Sequence, residues 1–144
     1  MNKKGFTLIE MIATIALLAL VATLATYSLS THLRRGREKS FDVLVNTFED
    51  GILEAYTSCI ADPTSSEFCQ EYDIPQVGER VRITLGTLEY YGFVEKFKNP
   101  WKSSEECDPR SDVIAIRDSE DAISFEYRTC LVCGNHRSEG CVPD

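Results

Sequence analysis

Six cysteines and one carboxylate in an apolar setting are the residues of this sequence that could do chemistry. The cysteines are Cys59, Cys69, Cys107, Cys130, Cys133 and Cys141, and the carboxylate is Glu10. Cys130-Leu131-Val132-Cys133 has the spacing of a thiol oxidoreductase. That chemistry needs the first thiolate at a helix N-terminus. The short remainder of the chain contains Gly134, Gly140 and Pro143, which do not build such a helix. Covalent haem attachment needs a His after the second Cys, where this chain has Gly134. Cys130, Cys133, His136 and Cys141 form a three-Cys, one-His set with knuckle-like spacing, so zinc is an alternative reading of the tail. Asp118, Glu120 and Asp121 could approach a calcium ion, but they lack the spacing of an EF-hand loop. A solvated turn is the simpler reading. His32 and His136 form no recognisable base–nucleophile pair, and there is no Gly-rich phosphate loop or hydrolase elbow. Neither enzymatic activity nor a cofactor is expected.

The elements that must carry these residues begin with an apolar run. From Phe6 to Leu29 there are 24 residues with one charge, Glu10. As a helix this run reaches roughly 36 Å, enough to cross a bilayer core of about 30 Å. It is too long for the core of an ordinary secretory signal. A carboxylate inside such a segment is costly and calls for a partner or a function. Lys3 and Lys4 precede the run, and Arg34, Arg35, Arg37 and Lys39 follow it. Counting flanking charges therefore does not set the orientation.

Beyond the run, Phe41, Leu44, Val45, Phe48, Ile52, Ala55 and Tyr56 recur at spacings of three and four. This is one apolar helix face, with Glu38, Lys39, Asp42, Asn46, Glu49 and Glu54 on the other. One helix from about Phe6 to about Ser58 is expected, with Gly36 and Gly51 as soft points and Asp62-Pro63 as its stop. Residues 62–78 read as a loop. Val81 to Leu85 and Leu88 to Phe97 read as strands. Asp112 to Arg117 and Ala122 to Arg128 read as a hairpin around Asp118-Ser119-Glu120-Asp121. The expected fold class is α+β: a ladle with one long N-terminal helix, membrane-spanning in its first half, packed on a small antiparallel sheet and stapled by disulfides.

The charge is uneven. Residues 1–40 carry a net +4, and the rest carry −12 of the overall −8. An acidic body argues against general nucleic-acid binding. If that body is exported, its six cysteines should pair. Six cysteines allow 15 pairings. Cys59 with Cys69 is expected, then Cys141 with Cys130 or Cys133, and Cys107 with the one left over.

Met1-Asn2-Lys3-Lys4-Gly5-Phe6-Thr7-Leu8-Ile9-Glu10, followed by the apolar run, resembles the leader and mature start of type IV pilins and type II secretion pseudopilins. The resemblance covers residues 1 to about 30. It implies a cytoplasmic leader at 1–5, cut by prepilin peptidase between Gly5 and Phe6, with Phe6 as the N-methylated terminus. It implies that Thr7 and Glu10 serve assembly, with Glu10 neutralising the terminal ammonium of a neighbouring subunit and setting register. It further divides the chain into an assembly half of the helix at 6–30, an amphipathic half at 31–61 and a globular head at 62–144. The implied partners are other pilin or pseudopilin subunits, prepilin peptidase, the inner-membrane assembly platform and, before assembly, membrane lipid. The implied location is the inner membrane as a single-pass protein, then a pilus or periplasmic pseudopilus. Many major pilins have a helix-bending Pro at the position of Tyr27, and its absence slightly favours a minor pilin or pseudopilin. Arg34, Arg35 and Arg37 are candidates for charge pairing between subunits. The alternative is a non-polymerising, membrane-anchored binding module with the Cys3His zinc site.

Overall fold

The computed structural model of the protein describes residues 7–120 and 124–142. Gly5 and Phe6, the expected cleavage point, and Asp121 of the acidic turn lie outside the described residues. The chain divides into two compact units, Met1–Glu38 and Lys39–Asp144. Helix α1, Leu8–Ala61, contributes to both.

In the first unit, α1 is apolar and bare. Leu8, Ile12, Leu17, Leu20 and Leu24 are all exposed. The helix is long and apolar enough to cross a membrane. In the second unit, α1 buries Phe41, Phe48, Gly51, Ile52, Ala55, Tyr56 and Cys59, close to the stripe expected from the sequence. The helix ends three residues later than expected, at Ala61. Asp62 then closes the turn by accepting from the Thr64 amide at 2.9 Å and from its hydroxyl at 2.7 Å. The Thr64 hydroxyl bond foremost, then the amide bond, hold the Asp62 carboxyl below the usual range.

The antiparallel sheet comprises β1 (Arg80–Thr84), β2 (Asp112–Arg117) and β3 (Phe125–Cys130), in the order β1-β2-β3. Val81, Ala115 and Tyr127 lie in one cross-strand row, and Ile83, Val113 and Thr129 in another. These rows supply the core face that meets the apolar stripe of α1. The core thus lies between a helix and a sheet, in an α+β unit.

Two segments differ from expectation. Residues 62–78 contain a short helix, α2 (Glu67–Glu71), capped by the Ser66 hydroxyl. Its Phe68 is wholly buried among Tyr56, Tyr72, Tyr91 and Phe93, with ring centroids 4.6–5.6 Å away. A helix this short cannot display a period, so its sequence reads as loop. Leu88 to Phe97 is not a strand. Helix α3 (Leu85–Tyr91) occupies its start, N-capped by Thr84 and closed by Gly92 at φ +79°. Leu85 and Leu88, spaced for one helix face, are fully buried. That burial overrides the strand preference of the aromatic run. The tail adds a small hairpin, β4 (Val132–Cys133) with β5 (His136–Arg137).

Gly51 is not a soft point. A Cβ there would lie 2.5 Å from Val94 Cγ1 and 3.2 Å from Leu88 Cδ1. The residue lets the α3 region approach the helix backbone. Gly51→Ala gains about 1 kcal/mol of helix propensity but overpacks the site, which costs about 1–3 kcal/mol. The expected outcome is a lower Tm in a circular-dichroism melt of the full chain. A Tm at or above wild type would show that Gly51 is there for flexibility instead.

Candidate assembly site on helix 1

Helix α1 starts at a residue pair that closes on itself. Glu10 Oε2 accepts from the Thr7 amide at 2.9 Å and from the Thr7 hydroxyl at 2.8 Å. The Glu10 amide points back at Thr7 Oγ1, 3.4 Å away. This is a capping box, in which a Thr and a Glu three residues on satisfy each other's exposed amides. The sequence reading missed it, although Thr-x-x-Glu before an apolar run is its signature. Only Oε2 takes part, so Oε1 can accept from another group. Phe6, whose amine is the expected partner, lies outside the described residues.

The apolar part of α1 also contains hydroxyls, and five of them are turned inward. Thr14 donates to Met11 O, Thr23 to Leu20 O, Thr26 to Ala22 O, and Ser30 and Thr31 both to Tyr27 O, at 2.5–3.2 Å. Side chains bonded to their own helix in this way present their methyl and methylene surface outward, as a hydrocarbon surrounding requires.

The basic collar follows. Arg34 Nε lies 3.5 Å from Glu38 Oε1, one turn on, and both side chains are exposed. Such a pair contributes about 0.3–0.5 kcal/mol. Arg35 and Arg37 form no ion pair among the described residues.

In the second unit, all six cysteines are in disulfides. Cys59 joins Cys69, Cys107 joins Cys133, and Cys130 joins Cys141. The three cysteines of the Cys3His alternative are therefore not thiolates here. His136 instead stacks on Trp101, with ring centroids 3.5 Å apart and planes within 9°. Asp118 accepts from the Ser124 hydroxyl at 2.6 Å, and Glu120 offers its carbonyl to Arg117. No group of three metal-ligating side chains occurs among the described residues.

One contact that the sequence concealed joins α1 to the sheet. Thr129 donates its hydroxyl to Glu49 at 2.5 Å, and both residues are at least partly buried. Glu49 belongs to the polar side of the helix by spacing, and nothing in the sequence singles it out.

Residues 1–26 match the family model of the prokaryotic N-terminal methylation motif, the signature of type IV pilins and pseudopilins. The match ends within the apolar part of α1. No curated protein and no solved structure was found to match the chain.

Proposed function

We propose that this chain, with its pilin-type methylation motif, is a prepilin-type subunit that is cleaved after Gly5, methylated on Phe6 and polymerised into a pilus or pseudopilus. The observation that carries this reading is the motif at residues 1–26 on a helix whose apolar surface is uncovered throughout its membrane-length stretch in the first unit. Such a surface has two natural environments, a bilayer and a bundle of identical helices. Storage in the first and assembly in the second make sense of one sequence. The motif is that of a structural subunit, and the activity proposed is polymerisation.

Glu10 serves as the register mark. With Oε2 engaged by Thr7, Oε1 remains to accept from the terminal ammonium of a neighbour. Two charges in hydrocarbon are each costly, and pairing removes much of that cost. The absence of Pro at position 27 leaves α1 unbroken there and favours a minor pilin or pseudopilin. Prepilin peptidase, an inner-membrane platform and other subunits are the partners this role requires. Mass spectrometry of native protein tests the reading. It should give a chain starting at Phe6, one added methyl group and three disulfides. An intact residue 1 in mature protein would falsify it.

Cleavage removes Lys3 and Lys4, so the working subunit carries −10 in side chains. Its remaining N-terminal positive charge is the Arg34 to Lys39 collar, which pairs with acidic surfaces of adjacent subunits. Reversing Arg34, Arg35 and Arg37 to Glu should lower filament yield, more at low than at high ionic strength. Equal loss at both salt levels, measured on sheared filaments, would remove the electrostatic role.

A further inference from the structure

The outer face of the sheet gathers arginines on this acidic head. Arg82, Ile114 and Arg128 share a cross-strand row pointing away from the core rows. Beside them is a hollow of about 350 Å³, whose lining adds Val132, Arg137 and the exposed Val142. Its two carboxylates are already occupied. Asp112 pairs with Arg82 at 3.2 Å, and Asp108 with Arg110 at 2.9 Å. Arg128 and Arg137 are exposed and form no ion pair among the described residues. The hollow therefore presents two guanidinium groups without an ion pair among the described residues, beside the apolar side chains of Ile114, Val132 and Val142.

The complementary surface lies on the same molecule. Residues 62–79 contain Asp62, Glu67, Glu71, Asp73 and Glu79, and no Lys or Arg. None of these five carboxylates is in an ion pair among the described residues. Near the end of this segment a tight turn presents an apolar tip. Glu79 N donates to Gln76 O at 2.9 Å, Gln76 N donates to Glu79 Oε2 at 2.8 Å, and Gly78 has φ +80°. Val77, in that turn, is 44% exposed, with Asp73 and Glu79 near it in the chain.

We infer that the acidic segment 62–79 of one copy docks into the Arg128–Arg137 hollow of a second copy, with Val77 against the Ile114, Val132 and Val142 floor. The inference rests on the subunit reading above and assigns its head-to-head contact. Charge complementarity selects the occupant. Arginine around an apolar centre suits a protein surface that offers carboxylates around an apolar tip. The two surfaces differ, so the contact is heterologous and each copy uses both. Such contacts extend a polymer, whereas a self-complementary patch would close a dimer.

The test uses the full-length chain in its assembling host, with sheared filaments quantified. One variant carries Arg128→Glu and Arg137→Glu; the other carries Glu67→Lys and Asp73→Lys. Each alone should lose about tenfold in filament yield at low salt, with wild-type Tm. Co-expressing the two should restore yield to within about threefold, because each variant's hollow matches the other's segment. If each variant loses yield and the mixture does not recover, the second copy is not the occupant and the inference fails. If neither variant loses yield while Glu10→Gln still abolishes filaments, the head contact is overturned and the subunit reading stands. If Glu10→Gln also leaves filaments intact, charge pairing at Glu10 is abandoned with the head contact; if the sheared filaments lack this chain altogether, the subunit reading itself falls. Should either variant melt early, Arg137→Gln with Arg128→Gln replaces it, and an unchanged yield then overturns the contact.

Discussion

Glu10→Gln should abolish filament formation as completely as Glu10→Ala, with a loss of about a hundredfold or more for each. The glutamine variant is the more informative. In the capping box, Glu10 accepts from the Thr7 amide and hydroxyl through one oxygen. Glutamine can fill that role, since Glu and Gln both serve at this position of the box. It cannot carry the charge that neutralises an ammonium. The substitution therefore separates the observed cap from the proposed charge pairing, which Ala removes together. Cleavage after Gly5 should continue in both variants, as seen from the mature N-terminus. If Gln assembles like wild type while Ala does not, the carboxylate acts by capping the helix. Charge pairing between subunits would then be abandoned.

The second large effect is expected at Cys107–Cys133. Of the three bridges it spans the longest stretch, a sequence separation of 26 against 10 and 11 for the others. In the chain-entropy treatment this corresponds to about 3.5 kcal/mol, against about 2.7 kcal/mol for the shorter loops. Both sulfurs are buried. The bridge holds the connection between β1 and β2 against the tail hairpin. Asp108 N to Val132 O at 2.8 Å and Val132 N to Ser111 Oγ at 3.0 Å line the same junction. Wholly buried Leu131 depends on it for its place in the core. Replacing both cysteines by Ala should lower Tm by roughly 15–25 °C. Removing Cys59 and Cys69 should cost less. The reverse order in parallel melts would show that α2, rather than the tail, is the part whose loss the fold cannot absorb.

What the sequence disclosed followed its periodicities. The long α1 stripe, the alternation of Val81, Arg82 and Ile83, and the run Asp112 to Arg117 each repeat often enough to be read. α3 was not legible because its aromatic content speaks for a strand, while Thr84 and the Leu85–Leu88 spacing decide for a helix. Gly51 misled for a different reason. A glycine in a helix looks like a weakness until the neighbour that needs its missing Cβ is known. At the assembly site, the N-terminal residues announced a family, and Thr7 and Glu10 were both named. Their mutual hydrogen bonds were also legible, as a Thr-x-x-Glu capping pattern before an apolar run. Among the cysteines, spacing left Cys130 and Cys133 open as partners of Cys141. Their placement chooses between them: Cys133 is wholly buried and joins buried Cys107, while half-buried Cys130 at the end of β3 is left to Cys141.

The inward-bonded hydroxyls of Thr14, Thr23, Thr26, Ser30 and Thr31 bear on how such a helix moves between surroundings. A hydroxyl that donates to its own backbone has no donor left unpaired in lipid, while its oxygen can still accept. At those five positions, under the subunit reading, leaving the bilayer would exchange one hydrocarbon contact for another. Helices sliding past each other would have no donors to re-pair there. The carboxylate one turn from the start would then be the strongest catch. A shaft with little to grip and one strong catch would move readily and stop at a defined step.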